Sequence, residues 1–288
     1  MILIDSILDI SSFKSSRCKI ELNMKCGSGN TRPIIDVWLA GSQVDKENGT
    51  VPSASYWSGS SKKAWIKNGE MVFSFVHIKG DDWLFVSAAE IITSTPNSHA
   101  AVNILQQYQP YFGRLILHHH KKTQICANFW NTIANSKNSS GTCNCYVKEI
   151  LPSIYDGVSF PGYNNIQLTY PQLDIVLNGS SMSSYKTALS IVQGIYLLTD
   201  TNTGKLYVGS AYGSDGIAQR WGTYLSTSHG GNKKLIDLYN KNGKEYFDKY
   251  FNFTLLEHFD MGVPATEIIQ RENDWMTKLD TRVHGYNN

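Results

Sequence analysis

The order of apolar and polar positions changes character part-way along this chain. From Pro33 to Ile92 the apolar residues fall in short runs, Ile34–Leu39, Met71–Ile78 and Trp83–Val86, separated by clusters of Gly, Ser, Asn and Asp. Such spacing predicts strands joined by turns, and Lys79-Gly80-Asp81-Asp82 predicts a tight hairpin turn. Asn97–Gln107, with Ala100, Val102, Ile104 and Leu105 apolar, predicts a short helix. Tyr111–His118 predicts a strand with Ile125–Trp130 as its partner, and Cys145–Leu151 a further strand after the polar loop Asn135–Thr142. Residues 1–32 give no clean period. A small, mixed, β-rich domain over residues 1–150 is the expectation.

Residues 151–193 read as a connecting stretch with short helices. Thr169-Tyr170-Pro171-Gln172 opens one helix, with Thr169 as its cap, and Tyr185–Val192 is a second amphipathic piece. From residue 194 the periods alternate. Gly194–Leu198 and Lys205–Gly209 are two strands around the turn-forming Asp200-Thr201-Asn202-Thr203-Gly204, hence a β-hairpin. A helix from Ser214-Asp215-Gly216 to about Leu225 follows, then Asn232–Lys241, the strand Phe251–Glu257 and the helix Val263–Leu279. The fold class is therefore α+β: a small antiparallel sheet flanked by helices over 194–288, preceded by the β-rich domain.

Composition narrows the function classes. The 288 residues are globular in composition, with 17% charged residues and a net charge of +2. No apolar run is long enough to span a membrane. The start, MILIDSILDI, is interrupted by Asp5 and Asp9 and lacks the basic flank of a signal peptide. Five cysteines, an odd number without an export signal, fit a reducing cytoplasm. The basic excess is N-terminal: 15 Lys/Arg stand against 11 Asp/Glu in residues 1–150, and 10 against 11 in 194–288. General attraction to phosphate is expected there.

The hairpin carries Gly194-Ile195-Tyr196 and Tyr207-Val208-Gly209, and further residues follow in order: Arg220 and Tyr224 one helical turn apart, His229-Gly230-Gly231-Asn232-Lys233, Glu272 and Asn287. This set resembles the GIY-YIG nuclease superfamily over residues 194–288. The resemblance implies a DNA endonuclease that hydrolyses phosphodiester bonds with Mg²⁺ or Mn²⁺. It implies Tyr207 as the phenol that positions or deprotonates water and Tyr196 as its hydrogen-bonded neighbour. Arg220 would face a phosphate oxygen, since its planar fork suits one. Tyr224 would share the helical face of Arg220, and His229 would face the phosphate. Glu272 would be the metal ligand, a better match than Glu267 or Asp274. Asn287, with Asn288 as its alternative, would steady the site. One departure stands out. Some members carry a lysine just after the second motif's glycine, where this chain has Ser210-Ala211, leaving Arg220, Lys205 or Lys233 to supply the charge.

The wider pattern, GKLYVGSAYG and HGGNK preceded by Phe160-Pro161-Gly162-Tyr163-Asn164, resembles bacterial restriction-type proteins that join an N-terminal β-rich region to a C-terminal GIY-YIG domain. Double-stranded DNA, modified or not, is the expected partner, with residues 1–150 selecting it and a homodimer forming at least on DNA. Lys205, Lys233 and Lys234, with Lys62, Lys63 and Lys67 of the stretch SGSSKKAWIK, are the candidate DNA contacts. A repair or mobile-element nuclease and a catalytically dead DNA-binding protein are the alternatives. The GxG at 27–29 has no lysine or helix behind it, so nucleotide binding is set aside. Cys126, Cys143, Cys145 and His118–His120 lack zinc-ligand spacing.

Overall fold

The computed structural model describes residues 2–13, 18–26, 32–51, 55–60, 63–120, 129–132 and 145–288, with only the backbone given at 11, 26, 60, 63 and 129–132. Two compact units divide the chain, Met1–Tyr155 and Asp156–Asn288.

The first unit is built on one sheet. Its strands are β1 (Ile2–Leu3), β2 (Cys18–Asn23), β3 (Met71–Lys79), β4 (Asp82–Thr93), β5 (Ala101–Ile104), β6 (Leu115–His118), β7 (Phe129–Thr132) and β8 (Tyr146–Ile150), with α1 (Ile34–Ala40) and α2 (Gln43–Asn48) beside it. The spatial order is β1-β8-β6-β4-β3-β2-β7, with β5 pairing β4; β2 and β3 are parallel and the other pairs antiparallel. Lys79 pairs Asp82, so Gly80-Asp81 is the expected two-residue turn, with Gly80 at φ +52°.

Both faces of β2 are buried. Ile20 and Leu22 join Phe73, Phe75, Phe85, Leu115 and Leu117 in one core. On the other face Lys19 donates to Glu70 at 2.6 Å, and Glu21 accepts from Ser74 at 2.6 Å and from the Tyr56 amide at 3.1 Å. Burial pushes the Glu21 carboxyl above its ordinary range. Three expectations differ. Phe129–Thr132, at the end of the segment expected to partner Tyr111–His118, pairs β2, while β6 pairs β8 and β4. Ile34–Ala40 is a helix, not a strand, because Pro33 fixes its entry and Ile34 and Trp38, four apart, are the buried pair. The predicted helix at Asn97–Gln107 is instead β5 followed by a 3₁₀ turn at Gln106–Tyr111, which contains Pro110 and sets Tyr108 edge-on against Phe73.

The second unit carries a four-stranded antiparallel sheet of β9 (Gln167–Thr169), β10 (Val192–Asp200), β11 (Leu206–Ala211) and β12 (Phe251–Asp260), in the order β9-β12-β10-β11. Its helices are α3 (Tyr170–Asn178), α4 (Ser183–Ser190), α5 (Gly216–Thr227), α6 (Lys233–Asn242), α7 (Lys244–Tyr250), α8 (Ala265–Lys278) and α9 (Thr281–His284). Thr169 and Gln172 form a capping box at the start of α3, and Asn232 caps α6 by accepting from the Leu235 amide at 3.0 Å. On one sheet face Ile195 and Val208 pack under Ile268 and Trp275 of α8 and Leu279 just beyond its end. On the other, Tyr196 and Phe253 pack under Trp221 and Tyr224 of α5. On α8 Ile268 is fully buried, whereas the adjacent Ile269 is 39% exposed.

The hairpin turn is organised by a buried carboxylate. Asp200 accepts from the Tyr286 hydroxyl at 2.6 Å, from Thr203 Oγ1 at 2.7 Å and from the Tyr246 hydroxyl at 2.9 Å, besides the Asn202 amide at 3.0 Å. Burial opposes its ionisation, but these donors outweigh it and hold the carboxyl below the usual range.

Candidate active site

The hairpin register decides which side chains meet. Tyr196 pairs directly with Gly209, and Leu198 with Tyr207, so both tyrosines lie on the face that α5 covers. A Cβ at Gly209 would collide with Cζ and Oη of Tyr196. The room beside that glycine is therefore taken by the tyrosine ring itself. Tyr196 is fully buried, and its hydroxyl lies 3.0 Å from that of Tyr224 and accepts from Arg220 Nε at 3.0 Å. Tyr224 is also fully buried; the Arg220 guanidinium stands 5.3 Å from its ring centroid. Burial raises both phenols well above their ordinary value, so neither is suited to take a proton. Tyr207 is 7% exposed and touches the Tyr224 ring edge-on at 6.4 Å.

Arg220 and Glu272 come together in an open cleft of about 440 Å³ lined by Ser210, Tyr212, Gln219, Arg220, Thr223 and Glu272. Arg220 reaches it from α5 and Glu272 from α8, around the outer edge of β11. Glu272 Oε2 accepts from Ser210 Oγ at 2.7 Å. Burial pushes the Glu272 carboxyl up, and the Ser210 hydroxyl, the Arg220 charge and the Ser210 amide oppose that only in part. Of the other acids on this helix, Asp274 accepts from Gln270 at 3.1 Å, and Glu267 is exposed. Among the described residues no group of three metal-ligating side chains occurs. A single half-buried carboxylate beside an open cleft nevertheless fits Mg²⁺, which keeps several waters and takes one or two carboxylates together with substrate phosphate oxygens.

Asn287 does not line the cleft. It is 2% exposed, and its side chain accepts from the Val208 amide at 2.9 Å and donates to the Val208 carbonyl at 2.8 Å. With the Tyr286 amide donating to the Leu206 carbonyl at 2.8 Å, the tail covers the outer edge of β11 as far as Val208. Asn288, the alternative, is exposed.

His229 is half-buried in the turn before α6. Its Nδ1 accepts from the Gly231 amide at 3.0 Å, which places a ring proton on Nε2. Gly230, at φ +56°, has no room for a Cβ, which would lie 2.5 Å from the Tyr224 ring.

The lysines divide. Lys205 and Lys233 are exposed. Lys234 donates to the Arg282 carbonyl at 3.0 Å and the Asn287 carbonyl at 2.5 Å, so it ties α6 to the tail. In the first unit Lys67 is exposed, Lys62 lies outside the described residues, and Lys63 is described by its backbone alone. Ser210 and Tyr212 line the cleft without having been singled out from sequence. Alternation could have found Ser210, two residues after Val208 and thus on the α8 face, but nothing marked Tyr212.

Residues 192–287 match the GIY-YIG catalytic domain family. They are a GIY-YIG domain. Over 97 residues the chain is 32% identical to intron-associated endonuclease 1 of Enterobacteria phage T4, a match covering 33% of this chain and 36% of that protein. The chain thus spans about a third of the curated relative's length. Two structures of the catalytic domain of intron endonuclease I-TevI, one of a mutant, match at 30% and 32% identity. They cover 34% and 33% of this chain and 93% and 96% of theirs, with TM-scores of 0.27 and 0.26. Tyr196, Tyr207, Arg220, Tyr224, His229, Glu272 and Asn287 all fall within the matched span.

Proposed function

We propose that this protein is a divalent-metal-dependent DNA endonuclease of the restriction or phage-defence type, in which residues 1–150 select double-stranded DNA, modified or not, and the GIY-YIG domain cuts it. The observation that carries the reading is the convergence of Arg220 and Glu272 on one open cleft, with Tyr196 and Tyr224 buried behind the arginine. A phosphodiester needs a cation's fork on its non-bridging oxygens, an acid to hold a metal and a group to aim water. Arg220 supplies the first and is held in place by Tyr196. Glu272, oriented by Ser210, would hold Mg²⁺ or Mn²⁺; the ion, when bound, offsets charge developing on the phosphate and lowers the pKa of coordinated water. Tyr207 is the phenol left to align the attacking water, because Tyr196 and Tyr224 are engaged with each other.

The N-terminal basic excess supports the selecting role, and one site per chain supports a dimer when both strands are cut. The buried thiol of Cys18 supports a cytoplasmic setting. No helix among the described residues is long and apolar enough to cross a membrane. The likeness to an intron-associated endonuclease favours a second reading, a mobile-element nuclease with one long site. Incubating the full chain with modified and unmodified phage DNA in Mg²⁺ and mapping the ends separates the two. Many short sites support restriction, a single long site supports mobility, and intact DNA with a folded protein refutes both.

A further inference from the structure

We propose that Tyr212 is a stacking platform for the nucleobase beside the phosphate that the cleft receives. The inference rests on the nuclease reading and adds a contact to the base, where that reading supplies contacts to the phosphate alone. Tyr212 is the first residue beyond β11, and its side chain lines the cleft that holds Arg220 and Glu272. It is 47% exposed, whereas the tyrosines that resemble the family motif are buried. Of the exposed large apolar side chains described in the second unit, Val158, Ile191, Tyr212, Ile269 and Val283, it alone is aromatic and it alone lines the cleft.

Its backbone is fixed while its ring is free. The Tyr212 carbonyl accepts from Gln193 Nε2 at 3.4 Å, and the turn behind it closes through the Gly216 amide to the Gly213 carbonyl at 3.1 Å. The Gln219 side chain lies so close over Gly213 that a Cβ there would collide with it. The tail covers the edge of β11 only as far as Val208, beyond it Glu272 holds Ser210, and Tyr212 follows with 47% exposure. A phosphate held by Arg220 brings its own nucleoside along, and a flat, exposed ring beside it on a rigid pedestal is the chemistry that takes a base face without reading its edge. An apolar residue placed there only by chance would have no reason to sit on a held turn at the mouth of a charged cleft.

Two measurements on the full chain test this. In the first, duplex DNA with 5-iodouracil replacing thymine is bound in EDTA, irradiated, and the crosslinked peptides are mapped. In the second, single-turnover cleavage in Mg²⁺ is compared for Tyr212→Ala, Tyr212→Leu and Tyr212→Phe. The expected results are a crosslink at Tyr212, a loss of about 5- to 150-fold for the alanine and leucine variants, and recovery by phenylalanine to within about threefold of wild type. Leucine matching phenylalanine, or DNA that is bound and cut with crosslinks only elsewhere, would overturn the stacking role while leaving the nuclease intact. A folded chain that neither binds nor cuts duplex DNA would overturn both.

Discussion

Asn287 offers the sharpest separation of a supporting role from a chemical one. Its amide fills both backbone groups of Val208, the residue between Tyr207 and Gly209, and it is buried at 2% exposure. Asn287→Ala leaves an amide and a carbonyl without partners. Each such group costs about 1–3 kcal/mol when buried. β11 is an edge strand, so water can enter from one side and the lower end of that range applies. The sum is about 2–3 kcal/mol, equivalent to a fall of about 6–12 °C in the melting temperature of a unit this size. Scanning calorimetry on the full chain would show the drop in the transition of the second unit. Cleavage should fall as well, because Tyr207 loses the fixed strand that carries it. Asn287→Asp keeps an acceptor for the amide but sets a carboxylate oxygen against the Val208 carbonyl, so at neutral pH it should be no better than alanine. A variant that melts within about 1 °C of wild type yet cannot cut would refute the reasoning and place Asn287 on the substrate.

Gly209→Ala forces a methyl into the space of the Tyr196 ring, and we expect a loss of about 1–3 kcal/mol in stability and a larger loss in cleavage as Arg220 loses its support; wild-type cleavage would dismiss that support. Glu272 has a raised folded-state pKa, so the folded chain favours its neutral form, and the stability this confers is present at low pH and lost as the pH rises through the folded value. Glu272→Gln, neutral throughout, should therefore melt higher than wild type at pH 7, with the gain vanishing near pH 4, while cleavage is abolished; a melting temperature lowered equally at both pH values would contradict the assignment. Lys205→Met and Lys233→Met should each reduce the salt slope of DNA affinity by about one, whereas Lys234→Met should lower the melting temperature and leave the slope alone, and the reverse pattern would refute the division.

Local chemistry made the second unit legible. The hairpin shows in alternating apolar positions and a turn cluster, α3 and α6 in caps at Thr169 and Asn232, and α8 in its apolar spacing. Long-range pairing was hidden. Nothing near Asp200 announces Tyr246 and Tyr286 as its donors, and nothing near Asn287 announces Val208. In the first unit β2 escaped notice because Lys19, Glu21 and Asn23 look like a wet face. They are buried, and Glu70, Ser74 and the Tyr56 amide supply what water would have. Ile34–Ala40 misled for a different reason: β-branched residues favour strands until a four-residue spacing can bury Ile34 with Trp38. In the site, the motif residues were readable one by one, but their roles depended on register. Pairing Tyr196 with Gly209 is what turns that tyrosine from the expected hydrogen-bonded neighbour of Tyr207 into a buttress for Arg220.

The tail's grip on β11 also sets an order of events in folding. The bonds joining Val208 to Asn287 and Asp200 to Tyr286 span 79 and 86 residues, so both must wait until the intervening helices and β12 have closed a long loop. Until then the hairpin has one bare edge and its turn carboxylate lacks one of its donors, the Tyr286 hydroxyl. The strand that carries Tyr207 is thus completed late, and it should open as soon as the tail lets go. Exchange of the Val208 amide with solvent deuterium would then follow release of the tail, a clock on how often the candidate site comes apart in the native protein.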